Sequence, residues 1–199
     1  MKILGVVIAG GASMRMTGQE KAFLEIDGVS LMERIMSRLK FQVESVAINS
    51  NGDLSRFSGF GCPVFADILA DVGTPLAGLH AALTFGSQSG FDAVITVPSD
   101  APFIPLDMVE RLLEAGEVTG AAIACSQGHD HYLTGIWTTA LAQPLENLIL
   151  RDGLRRVQDF VAKAEAAKVM WSSDPHDAFF NINTPEDLLE AVLIARGET

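Results

Sequence analysis

Apolar positions along the chain fall into two patterns that alternate. Short continuous runs, Ile3 to Ala9, Val43 to Asn49, Pro63 to Ala66 and Phe91 to Val97, have the length and β-branched content of buried strands. Between them apolar residues recur at helical spacing: Leu31, Ile35 and Leu39; then Leu79, Leu83 and Phe85; then Met108, Leu112 and Leu113. Ser30-Leu31-Met32-Glu33 is a capping box, so the first helix is predicted over 30–40, and Pro105 is predicted to open the third. Ala22 to Ile26 reads as a short extended piece turned by Asp27-Gly28. Buried strands alternating with helices predict an α/β fold of three layers, Rossmann-like, with a mostly parallel sheet covered on both faces.

The second half changes pattern. Ala121 to Cys125 and Tyr132 to Thr138 read as strands joined by the polar tip Gln127-Gly128-His129-Asp130-His131, a hairpin that adds an antiparallel piece to the sheet. Helices are predicted over 140–150 and 154–164, and a last strand over 168–171. Thr184-Pro185-Glu186-Asp187 caps a final helix whose buried face is predicted to be Leu188, Leu189, Val192 and Leu193. With no repeat, low-complexity tract or linker, residues 1–199 are expected to form a single domain, and at 48% hydrophobic residues they suffice for one substantial core.

Charge narrows the partners. A net charge of -11 argues against a surface that tracks nucleic acid, while an anionic small substrate requires cations focused in one cleft. Cys62 and Cys125 are isolated, which fits neither a disulfide framework nor a zinc site and fits a reducing cytoplasm. No apolar run approaches the length of a membrane span, so a cytoplasmic protein with no membrane partner is expected.

The densest chemistry follows the first strand. There the chain breaks into Gly10-Gly11 and then carries Arg15 and Lys21, a composition that lets backbone N–H groups approach an anion and cations neutralise it. A glycine-rich turn with solvated cations is the alternative, and neither G-K-[ST] nor G-x-G-x-x-G is present to decide. In an open parallel sheet ligands bind outside the carboxyl ends of the strands, where the Gly10 to Lys21 loop, Asn49, Asp67 and Asp100 are predicted to meet. Each has a plainer reading. Asp100 would cap the Pro105 helix, Asn49 and Asp67 would serve turns, His129 and His131 would be solvated, and Arg155-Arg156 would be an exposed helix face.

Four motifs, in order, carry a resemblance. I-A-G-G-A-S-M-R-M-T-G-Q-E-K from Ile8 resembles the nucleotide signature of the molybdopterin nucleotidyltransferase family. T-P-L-A-G from Thr74, P-S-D-A-P-F from Pro98 and F-N-I-N-T-P-E-D from Phe180 resemble its later motifs. The set is most similar to molybdenum cofactor guanylyltransferases, which implies a nucleotidyltransferase fold and transfer of GMP from GTP to molybdopterin with release of pyrophosphate. By that resemblance Ile8, Ala9, Gly10, Gly11, Lys21, Asn49, Asp67, Leu76, Gly78 and Asp100 would bind the nucleotide, and Arg15, Lys21 and Asp100 would be catalytic. Asp100 would hold Mg2+, and Arg155, Arg156, Asn181 and Asn183 would receive the pterin. Residues 1–104 would form the nucleotide half and 105–199 the pterin half, with transient contacts to cofactor-synthesis proteins and molybdoenzyme chaperones. The chain departs from the pattern at Thr17 and Thr74, where glycine is usual, and at Ser99, where cysteine is usual. Related readings are a CTP- or sugar-phosphate nucleotidyltransferase and a non-catalytic nucleotide-binding adaptor.

Overall fold

The computed structural model describes residues 1–10, 15–16 and 19–198, with only the backbone of Arg15, Met16, Gln19 and Ala70. Its first strand, β1 (Ile3–Ile8), is buried throughout. β2 (Arg15–Met16) and β3 (Gln19–Glu20) form a small ladder beyond it, and β4 (Glu25–Ile26) and β5 (Val29–Ser30) another. α1 (Leu31–Lys40) follows, with the capping box at Ser30 and Glu33 formed as expected. Then come β6 (Ser45–Asn49), β7 (Val64–Phe65), α2 (Pro75–Gln88), β8 (Ala93–Pro98), α3 (Met108–Ala115), β9 (Ala121–Ser126) and β10 (His129–Thr138). The chain ends with α4 (Ala142–Leu150), α5 (Val157–Lys163), β11 (Ala167–Trp171) and α6 (Pro185–Arg196).

Seven strands make the main sheet in the order β11-β9-β10-β8-β1-β6-β7. Only β10 runs against its neighbours, so the sheet is parallel except for the predicted hairpin addition. Alternation along β1 builds both cores. Ile3 and Val7 face a cluster with Ile35 and Leu39 of α1 and Met108 and Leu112 of α3. Leu4, Val6 and Ile8 face Leu76, Leu79 and Leu83 of α2, with Leu145 of α4 and Phe160 of α5. Successive side chains of a strand point to opposite faces, so one fully apolar strand seats helices on both.

Several local expectations are corrected. The 121–138 hairpin turns on Gln127 and Gly128 alone, both at positive φ (48° and 76°), and His129, Asp130 and His131 are the first residues of β10 rather than a polar tip. Lys21–Phe23 is a 3-10 turn rather than extended chain. α3 starts at Met108, and α5 starts at Val157, leaving Leu154, Arg155 and Arg156 in the approach to it. On α6 the inward residues are Ala191 and Ile194, with Leu188 and Val192 partly buried, while Leu189 (69%) and Leu193 (43%) stand in solvent. That helix packs on the small piece carrying Leu24, Ile26 and Leu31 rather than on the main sheet, so its buried stripe is narrow. No helix among the described residues is long and apolar enough to cross a membrane.

The register of β10 breaks between His131 and Gly135. Gly135 restarts the ladder where a Cβ would lie 2.6 Å from the carbonyl oxygen of Ala122 and 3.0 Å from the Trp137 ring. Neither a backbone carbonyl nor a buried indole can retreat, so Gly135→Ala is expected to cost about 1–3 kcal/mol. In a chain of this size that is a fall of roughly 2–12 °C in Tm by calorimetry; an unchanged Tm would show that the sheet yields there.

Candidate active site

Register sets the site. Ile8 of β1 pairs with Asn49 of β6 and with Pro98 of β8, and Asn49 pairs with Phe65 of β7. These four residues form one row at the carboxyl ends of four adjacent parallel strands, and the chain past each of them emerges at the same edge. The ladder continues one step further through Ala9 N–H to the Asn49 carbonyl (2.8 Å), Ser99 N–H to Ile8 (3.1 Å) and Ser50 N–H to Phe65 (2.9 Å). The Gly10 region, Asn49, Asp67 and Asp100 are therefore brought together as predicted.

They gather into two polar clusters. In the first, the Asp67 carboxylate accepts from the Asn49 amide (2.9 Å) at one oxygen and from the Asn51 amide (2.9 Å) at the other, and its own N–H donates to Asn51 Oδ1 (3.0 Å). Both donors come from the β6 tip, so Asp67 is not serving a local turn. Arg56 closes the cluster, donating to Ser50 Oγ (2.7 Å) and the Asn51 carbonyl (2.8 Å) and pairing with Glu20 (3.1 Å). It thereby ties the residue before Lys21 to the β6 tip. Asn49 is fully buried and its Oδ1 has no partner among the described residues. Gly78 lies against it, since a Cβ at Gly78 would sit 2.8 Å from that oxygen.

The second cluster is charged. Lys21 is 6% exposed, and its ammonium donates to Asp100 Oδ2 (3.2 Å) and to Asn183 Oδ1. A buried charge is tolerated only when paired and hydrogen-bonded, and Asp100, from the far end of β8, is the counter-charge. The helix-cap reading of Asp100 is excluded, because Asp107 occupies the N-cap position of α3. Asn183 is held in turn by Asp187, whose carboxylate accepts from the N–H groups of Asn183 and Thr184 (2.8 Å each). Those bonds, offset in part by burial, hold the Asp187 carboxyl below the usual range.

Beside this pair opens a cavity of about 570 Å³ lined by Thr74, Asp100, His131, Arg155, Arg156 and Asn181 among others. Arg155 donates to the carbonyls of Ile149 (3.0 Å) and Leu154 (2.8 Å), which fixes the approach to α5, and Arg156 pairs with Asp159 (3.0 Å). The two arginines thus face a cleft rather than lying on a plain helix face. Asn183 sits on the lysine side instead of in the cavity wall. Leu76 is fully buried in the core, so its side chain is not presented to a ligand. Ile8 and Ala9 are buried at the strand end and Gly10 is partly open. Gly11, Thr17 and Gly18, and the side chain of Arg15, lie outside the described residues.

Asn51, Arg56 and His131 were not singled out from the sequence as site residues. Asn51 stands in N-S-N-G-D, which reads as turn chemistry, and Arg56 is a lone cation in a polar stretch; neither carries a spacing signal. Among the described residues no cluster of three or more His, Cys, Asp or Glu forms a metal cage. A cation here would rest on the Asp100 carboxylate, a hard oxygen donor. The Cys125 thiol is pushed up to about 12 by burial and by the neighbouring Asp130, so it stays protonated.

Residues 5–168 match the family model described as a MobA-like NTP transferase domain. A molybdenum cofactor guanylyltransferase of Rhodopseudomonas palustris (strain BisB5) is 42% identical over 194 residues, spanning 96% of this chain and 92% of the relative. One from Cereibacter sphaeroides (strain ATCC 17023) is 40% identical over the full length of both. Among solved structures, molybdopterin-guanine dinucleotide biosynthesis protein A from Archaeoglobus fulgidus superposes with a TM-score of 0.70 at 25% identity, covering 99% of this chain and 100% of that one. Family match, near-full-length identity and a site at the carboxyl edge of the sheet agree: the chain belongs to the MobA-like NTP transferase family and is a nucleotidyltransferase.

Proposed function

We propose that the protein transfers GMP from GTP to molybdopterin, forming the guanine dinucleotide cofactor and pyrophosphate. The observation that carries this reading is the Lys21–Asp100 pair, poised between the Asn49–Asp67 cluster and the arginine-lined cavity. It lies where two anionic substrates would meet. An oxygen of the acceptor's terminal phosphate attacks the α-phosphorus of GTP, the bond from that phosphorus to the bridging oxygen breaks, and pyrophosphate leaves with the electron pair. No covalent enzyme intermediate is needed, so the protein's work is positioning and charge stabilisation.

In this reading the Gly10 region and Lys21 hold the triphosphate, and Asn49 and Asp67 hold the guanosine. Leu76 and Gly78 contribute backbone at the start of α2. Arg15 adds charge, and Arg155, Arg156 and Asn181 receive the pterin, with Asn183 serving through Lys21. Asp100 would hold Mg2+, which when bound neutralises charge on phosphoryl oxygens. Residues 1–104 supply the nucleotide side and 105–199 most of the acceptor side, although Thr74 and Asp100 show the cavity wall drawing on both. A cytoplasmic setting, and exchange of cofactor with synthesis proteins and molybdoenzyme chaperones, follow from the same reaction.

Incubation with molybdopterin and either GTP or CTP, with Mg2+, tests the assignment. The guanine dinucleotide is expected from GTP alone. Product from CTP alone would move the protein to a sister activity, a result to which Thr74 in place of glycine draws attention. No product from either, with a competent acceptor, would favour the adaptor reading.

A further inference from the structure

His131 reaches the cavity through the irregularity in β10. The strand pairs with β9 from His129 to His131 and again from Gly135, and the residues between them form a bulge. Bulges bend a strand and re-aim its side chains; here His131 and the bulged Tyr132, Leu133 and Thr134 all line the cavity. The ring is held on two sides. Its Nε2 lies 2.6 Å from Ser126 Oγ, and its centroid is 4.9 Å from that of Phe179 at an interplanar angle of 35°. Ser126 is fully buried, and among the described residues His131 is the partner of its hydroxyl.

That contact determines the chemistry of the other ring nitrogen. A hydroxyl sealed from water satisfies itself by donating to Nε2, which leaves the ring proton on Nδ1. Burial pushes the imidazole below its ordinary value, opposed by Asp177 and Asp130 and reinforced by His129, so the ring is neutral near pH 7. Among the described residues Nδ1 has no hydrogen-bond partner. The same cavity is lined by Arg155, Arg156 and Asn181, alongside Asp100 and Asp130.

We infer that His131 is a recognition residue for the second substrate: its Nδ1–H joins Arg155, Arg156 and Asn181 in a donor set for an acceptor that carries a phosphate monoester. The identity of the acceptor rests on the proposed reaction; the donor chemistry does not.

Two amide variants separate recognition from support of the hairpin. In His131→Gln the side-chain amide reaches the Nε2 position, keeping the Ser126 contact and losing the donor at Nδ1. In His131→Asn the amide stands near Nδ1 and no longer reaches Ser126. Recognition predicts that His131→Gln raises KM for molybdopterin about 10- to 100-fold, the loss of one hydrogen bond to a charged group, with KM for GTP and Tm unchanged and with His131→Asn less affected. The opposite order, with a lowered Tm in His131→Asn and a normal KM in His131→Gln, would overturn the inference. Calorimetric titration with phenyl phosphate at saturating GTP gives a second readout, expected to weaken about 10- to 100-fold in His131→Gln. Wild-type protein that binds phenyl phosphate yet transfers nothing to molybdopterin would remove the proposed reaction and leave His131 judged on phosphate affinity. Equal affinity in wild type and His131→Gln, or no affinity in wild type, would remove the inference itself.

Discussion

Replacing Lys21 by alanine is expected to lower the rate of nucleotidyl transfer about 10²- to 10³-fold, the scale of losing one preorganised group that stabilises transition-state charge. Lys21 is 6% exposed, and its ammonium is fixed by Asp100 and Asn183 before any substrate arrives. Its charge therefore acts at short range in a poorly hydrated cleft, with no reorganisation left to make when charge builds on the phosphoryl oxygens. Lys21→Arg should not restore the rate. A planar guanidinium cannot reproduce a compact point charge in so closed a space, and its fork would displace either Asp100 or Asn183. The fold should survive Lys21→Ala, because the side chain of the abandoned partner, Asp100, is 21% exposed and can be hydrated. Steady-state kinetics with a parallel thermal melt checks this. Wild-type kcat in a folded Lys21→Ala protein would remove the lysine from the mechanism.

Asp100→Asn is expected to cause a loss of similar size, about 10²- to 10³-fold, accompanied by loss of the response to added Mg2+. Asparagine retains an oxygen that accepts from Lys21, so the contact at 3.2 Å can persist while the negative charge goes. In the proposed reading a hard divalent cation depends on that charge, the carboxylate assigned to it. Asp100→Ala should do more harm than Asp100→Asn, since it also leaves the Lys21 ammonium buried against an empty space, and removing one partner of a buried pair destabilises strongly. The comparison of the two variants by melt and by Mg2+ titration of activity separates the structural role from the metal role. An Asp100→Asn enzyme that still responds to Mg2+ as wild type does would place the cation elsewhere.

The clearest contrasts between chain and fold lie in particular residues. Asn49, Asp67 and Asp100 were legible because each closes an apolar run, and a buried parallel strand has one carboxyl end at which to deliver it; Lys21 was legible as a cation closing the glycine-rich stretch that follows the first run. The Ser30 and Thr184 capping boxes were legible because a cap is satisfied within four residues of chain. Asn51 and Arg56 were not, because their roles are made by partners 16 residues away at Asp67 and across the loop at Glu20. Leu189 and Leu193 read as buried because helical spacing marks a stripe without marking its width. The width depends on how much of a neighbouring element covers it, and α6 has only a small platform beneath it. His131 read as a solvated tip because turn chemistry at Gln127-Gly128 and at His129-Asp130-His131 looks alike in one dimension; pairing energy with β9 extends the strand to His129.

By itself the sequence determined the α/β alternation, the run of strand ends bearing the glycine-rich loop and three polar residues, the motif order that marks the family, and the net charge of -11. Those features depend on local composition and short spacing, which need no partner to be read. The tertiary structure decided that Lys21, Asp100 and Asn183 form one charged cluster and that Asn49, Asn51, Asp67 and Arg56 form another. It also decided that His131 and the arginines face the same cavity. Each of these rests on a contact between segments far apart in the chain, and such contacts exist only once sheet register and helix packing have brought their backbones within hydrogen-bonding reach.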